Sequence, residues 1–178
     1  MNRTMKCGLV AVLAFGLLAS FASAAGKMDM GPNNQMTKAA KGQGICQVLT
    51  GEKASPEYSY QYKGKTYYFC CAECVAMFKK NPEKYLSRIK EFNIVSKKYA
   101  FVPAEIKVKQ NDIVKITLTS EDVAHGLAIK EYGINLSVKK GEVKKIEFLA
   151  DKKGAFTLRC SVYCGTGHEK MTGKLIVE

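Results

Sequence analysis

The strongest constraint on the fold is a two-residue apolar rhythm running through the C-terminal half. Ile106 and Val108 begin it, followed by Val114, Ile116 and Leu118, then Leu136 and Val138. Ile146 and Phe148, Phe156 and Leu158, and Leu175 and Val177 continue it. Each set puts its apolar side chains on one face of an extended segment. Asn111-Asp112, Lys140-Gly141 and Lys153-Gly154 supply turns between the runs. Short alternating strands at this spacing predict an antiparallel β-sandwich over residues 97–178. A length of about 80 residues is enough for one such core.

Residues 45–96 read differently, as a small α+β unit. Gln47 to Gly51 suggests a short strand and turn. Tyr58, Tyr60 and Tyr62 alternate, Lys63-Gly64-Lys65 turns, and Thr66 to Phe69 forms a second aromatic strand, so a β-hairpin is expected. A helix should begin after Cys74 with Val75, Met77 and Phe78, break at Asn81-Pro82, and resume in a turn through Tyr85, Leu86 and Ile89.

Cysteine and histidine carry the chemistry. The chain of 178 residues has seven Cys and only two His. Cys160, Cys164, His168 and Met171 crowd a loop between two predicted strands, and His125 opens another strand after Asp122-Val123-Ala124. Two soft thiolates, two imidazoles and a thioether form a donor set suited to copper. A mononuclear blue site needs one Cys. Two, four residues apart, can bridge a pair of coppers, each with one His as terminal ligand. A Cys160–Cys164 disulfide is the competing reading in an oxidising compartment.

The run C-S-x-x-C-G-x-x-H-x-x-M from Cys160 to Met171, with D-V-x-H-G from Asp122 to Gly126, resembles the binuclear copper A (CuA) cupredoxin of cytochrome oxidase subunit II and nitrous oxide reductase. The resemblance spans most of residues 101–178 and implies a cupredoxin Greek-key β-sandwich that transfers electrons without catalysis of its own. It implies that Cys160 and Cys164 bridge the coppers, that His125 and His168 are terminal ligands, that Met171 is a weak axial ligand, and that Val162 donates its backbone carbonyl. Oxidases usually carry Glu where Val162 stands. A carbonyl needs only the backbone, but the magnesium-holding role of that acid does not transfer.

Cys46, Cys70, Cys71 and Cys74 form a second cluster. C-x-V-x-x-G from Cys46, Y-x-G-K-x-Y-Y-F-C-C-x-x-C from Tyr62 to Cys74, and F-x-x-N-P-x-x-Y from Phe78 to Tyr85 resemble the YHS domain, a small module of the TRASH-like metal-binding group. The resemblance implies metal binding by Cys46, Cys70 and Cys74, with Cys71 as a fourth donor; copper and zinc both suit thiolates. Disulfides are the alternative here too.

Residues 1–24 read as a secretory signal. Arg3 and Lys6 precede an apolar run from Gly8, and Ala22-Ser23-Ala24 is a cleavage site that would leave Cys7 behind. Left uncleaved, the segment would be a short membrane anchor. Residues 25–44 read as a flexible linker carrying Met28, Met30 and Met36. The expected location is therefore periplasmic or otherwise exported. The net charge is +12 and only Arg3, Arg88 and Arg159 are arginines; no recognition motif accompanies this charge, so nucleic acid is not an expected partner. Oxidase subunits of the resembled family usually offer an acidic face to a basic cytochrome c and an aromatic Trp. This basic chain has no Trp, which implies a different or acidic redox partner. The alternative is a copper-handling protein that takes copper from a donor and delivers it to an acceptor oxidase or reductase.

Overall fold

The computed structural model describes residues 44–178. The signal, Cys7, Met28, Met30, Met36 and all of the linker except Gly44 lie outside the described residues. In chain order the elements are β1 (Ser55–Tyr62), β2 (Lys65–Phe69), α1 (Ala72–Lys80), α2 (Pro82–Leu86), β3 (Ile89–Lys97), β4 (Ala100–Val102), β5 (Glu105–Val108), β6 (Ile113–Ser120), β7 (His125–Ile129), β8 (Ile134–Val138), β9 (Val143–Leu149), β10 (Gly154–Arg159) and β11 (Thr172–Val177). Among the described residues no helix is long and apolar enough to cross a membrane.

β1 and β2 form the expected hairpin, with Lys63 and Gly64 both at positive φ in its turn. Its aromatic face folds over Phe78 of α1, which is fully buried and touches the rings of Tyr60, Tyr62, Tyr67, Phe69 and Tyr85. α1 starts earlier than expected. Cys71 is its N-cap, so Cys74 lies in the first turn and not ahead of the helix. Asn81 ends α1 and caps α2, its side-chain oxygen accepting from the Lys84 N–H at 3.2 Å. Gln47 to Gly51 forms turns and no strand; an isolated bridge joins Ile45 to Lys53 instead.

Two sheets make the sandwich, of order β5-β11-β10-β7-β8 and β4-β3-β6-β9. The chain crosses between them at β4–β5, β5–β6, β6–β7, β8–β9 and β9–β10, the Greek-key arrangement the resemblance implied. Ile94, Phe101, Ile116, Leu118, Leu127, Leu158 and Leu175 fill the space between the sheets at 1% exposure or less. The expected purely antiparallel sandwich is corrected in two places: β3 runs parallel to β6 and β5 parallel to β11. Each parallel partner arrives by a crossover through the opposite sheet.

β3 also revises the division of the chain. Residues 89–96, expected in the small unit, pair with β6 along its whole length from Ile89–Ile113 to Ser96–Ser120. The small unit meets the sandwich where β3 begins. There Arg88 donates to Thr50 Oγ1 at 3.3 Å and to the Asn111 carbonyl at 2.8 Å. The Ile45 N–H donates to Glu147 of β9 at 2.9 Å, and Glu147 pairs with Lys115 of β6 at 3.1 Å.

Candidate metal centres

At the far end of the sandwich, β10 gives way to the loop 160–171, which returns into β11. The Cys160 N–H donates to the Met171 carbonyl at 3.1 Å and closes the loop at its base. His125 is the first residue of β7, beside β10 in the same sheet, so strand pairing carries it under the loop. The next residue, Gly126, sends its N–H to Cys160 Sγ at 3.4 Å. A Cβ at Gly126 would collide with the Ser161 side chain and the Ser161 backbone nitrogen, so only glycine lets β7 and the loop close together.

The structure brings all six predicted residues of this site together. Cys160 Sγ and Cys164 Sγ lie 3.8 Å apart, well beyond disulfide length. Cys160 Sγ is 3.8 Å from His125 Nδ1 and 3.1 Å from the Val162 carbonyl oxygen. Cys164 Sγ is 3.7 Å from His168 Nδ1 and 3.9 Å from Met171 Sδ. Each sulfur therefore has its own imidazole. His125, Cys160 and Met171 are buried, while Cys164 and His168 are partly exposed. Burial, followed by the neighbouring Cys160 thiol, pushes the Cys164 thiol up to about 11.

Three residues that sequence reasoning gave no role support this arrangement. Asp122 accepts from His125 Nε2 at 2.8 Å, which leaves Nδ1 facing the sulfurs. The same carboxylate accepts the Lys98 N–H at 2.7 Å and the Val123 N–H at 2.7 Å. The Lys98 donor first, then His125 and Val123, hold the Asp122 carboxyl far below its usual range against the opposing effect of burial. Lys98 and Tyr99 both take positive φ in the β3–β4 turn, and the Tyr99 ring lies against Gly165 and Gly167 of the loop. Tyr163 is 76% exposed, with its ring centroid 5.8 Å from that of His168. Phe101 is ordinary core. The Asp122–His125 spacing was visible in the sequence; nothing there linked Lys98 or Tyr99 to the loop.

The second cluster also assembles. The sulfurs of Cys46, Cys70 and Cys74 lie within 4.8 Å of one another. Cys71 Sγ is 3.4 Å from Cys74 Sγ and 3.9 Å from Cys70 Sγ, and Cys70 to Cys74 is 3.6 Å. No disulfide joins any of these described cysteines. Burial raises the Cys70 thiol to about 12, with Cys46 and Cys71 adding to this and Cys74 opposing it, and burial with its neighbouring thiols raises Cys74 as well. Burial opposes ionisation of Cys46 as well, yet backbone donors from Leu49, Cys70 and Val48 bring it below its ordinary value. Four clustered sulfurs suit a soft metal, and both donor sets fit copper.

Comparison with known proteins shows what parts of the chain are similar to. Residues 50–89 match the model of the YHS domain. The match takes in Cys70, Cys71 and Cys74. The chain is 32% identical over 80 residues to cytochrome c oxidase subunit 2 of Thermus thermophilus, covering 45% of this chain and 59% of that one. It is 38% identical over 89 residues to nitrous-oxide reductase of Cupriavidus necator, covering 48% of this chain and 14% of the reductase. It thus spans less than two thirds of either relative. A solved structure, the periplasmic domain of subunit II of cytochrome oxidase of Bradyrhizobium japonicum, aligns at 30% identity and a TM-score of 0.40, covering 42% of this chain and 54% of that one. Both resemblances read in the sequence return in these comparisons.

Proposed function

We propose that the 160–171 loop holds a binuclear copper centre that passes single electrons, in an exported protein. The observation that carries this reading is the pair of unbridged sulfurs 3.8 Å apart, each with an imidazole Nδ1 of its own at 3.8 or 3.7 Å. In this reading Cys160, Cys164, His125 and His168 would hold the coppers, with Met171 and the Val162 carbonyl as weaker donors. Copper in such a site supplies a one-electron couple. The chain's own residues supply rigidity: Asp122 fixes the His125 ring, Gly126 lets the loop close, and Tyr99 braces it from below. Ligands held in place before and after electron transfer keep reorganisation small.

The net charge of +12 supports an acidic redox partner over a basic cytochrome c. The thiol cluster of the small unit supports a second reading, copper binding and delivery to a partner.

The test is copper loading of the full chain followed by visible and electron paramagnetic resonance spectra. One unpaired electron shared equally by two copper nuclei is the expected result. A mononuclear copper signal, or a silent protein with a Cys160–Cys164 disulfide, would overturn it.

A further inference from the structure

The thiols of the small unit have a shape that electron transfer at the other centre leaves unexplained. Cys70, Cys71 and Cys74 make one triangle with edges of 3.9, 3.6 and 3.4 Å. Cys46, Cys70 and Cys74 make a second, with every edge within 4.8 Å. The triangles share the Cys70–Cys74 edge. We propose that this cluster binds two Cu(I) ions, one per triangle, bridged by Cys70 and Cys74 and completed by Cys46 on one side and Cys71 on the other. The proposal rests on the reading above only for the choice of copper as the metal.

Size and donor type fit. A metal–thiolate bond of about 2.3 Å at the centre of three sulfurs sets edges of about 4.0 Å. The edges of the Cys71 triangle, at 3.9, 3.6 and 3.4 Å, fall short of that value by about 0.1 to 0.6 Å, and those of the Cys46 triangle lie within 4.8 Å. Cu(I) is a soft ion that three thiolates satisfy in a plane, whereas structural zinc takes four donors in a tetrahedron and would consume the whole cluster for one ion. Loading is a ligand exchange without a redox step. Four thiols release four protons, two Cu(I) bring two positive charges, and the cluster keeps a net charge of minus two.

The surroundings match that charge. Cys46 Sγ accepts the Leu49 N–H at 3.4 Å. Cys71 and Cys74 occupy the N-cap and first turn of the nine-residue α1, where amide hydrogens point outward. The two triangles are not equivalent. Cys46 and Cys74 are 0% and 1% exposed, whereas Cys70 and Cys71 are half-buried. The Cys46 triangle retains its ion; the Cys71 triangle faces outward and exchanges with acceptors.

The test uses the full chain carrying Cys160→Ser and Cys164→Ser, so that the other centre contributes nothing. Anaerobic Cu(I) titration against a chromophoric Cu(I) chelator is expected to give two tightly held equivalents, and X-ray absorption a short copper–copper distance. Adding Cys71→Ser should leave one equivalent and abolish that distance. Serine is a favoured N-cap, so this variant retains α1. One equivalent in both backgrounds would overturn the proposal. So would a single zinc ion, bound by all four sulfurs, that displaces the copper. Failure of the binuclear reading would show in the spectra of the wild-type chain, whose loop cysteines are absent from this experiment.

Discussion

His125 owes its orientation to one carboxylate. Asp122 holds Nε2 and is itself held by two backbone donors, from Lys98 and Val123. Removing such an outer partner typically weakens metal affinity about 10–100-fold. Asp122→Ala is expected to do so in copper competition against a chelator, and Asp122→Asn, which keeps an acceptor oxygen, to lose less. Gly126→Ala tests the close approach beneath the loop. Its methyl meets Ser161, so it should cost about 1–3 kcal/mol in urea unfolding and shift the visible spectrum of the copper-loaded protein. That the residues of the loop and His125 come together was legible, because Cys, His and Met at this spacing have few other uses. Their supports were not. An acid three residues before a histidine says nothing about whether it faces the ring, and Tyr99 reaches Gly165 and Gly167 from more than sixty positions away.

Elements were legible where side-chain period sufficed. β5, β6 and β8 to β11 follow the alternating apolar residues, and the hairpin follows its tyrosines. Strand direction was not legible, because alternation is the same in parallel and antiparallel pairs. β3 was drawn into the small unit because Ile89 continues the apolar sequence after Leu86; pairing with β6 overrides that local signal. α1 shows how one aromatic can hold a small unit together. Phe78→Ala removes the centre of five ring contacts and should cost about 3–5 kcal/mol. In denaturation it should unfold the thiol cluster first, with metal released there while the paramagnetic signal of the loop survives.

At the scale of the molecule, the salt dependence of the rate tests the proposed acidic partner. With a net charge of +12, electron transfer with an acidic partner should slow as ionic strength rises, in stopped-flow measurements, since the Debye length falls from about 10 Å at 0.1 M to about 3 Å at 1 M salt. A rate that rises with salt would indicate a basic partner instead. How the two units meet could not be read from the sequence, because the junction joins Ile45 to Glu147 across 102 positions. Glu147→Ala with Arg88→Ala cuts the contacts of Ile45, Thr50 and Asn111 that tie the units together. Calorimetry should then show two melting transitions where the wild type shows one.

β3 starts at that junction and ends beside Lys98, whose N–H secures Asp122. Eight residue steps at about 3.3 Å make it about 26 Å long. The sandwich is therefore a spacer, with thiols at one pole and the mixed sulfur–imidazole loop at the other. Among the described residues no side chain spans that length, so copper passing from thiols to loop by an encounter between two chains would be second order in protein and slow on dilution.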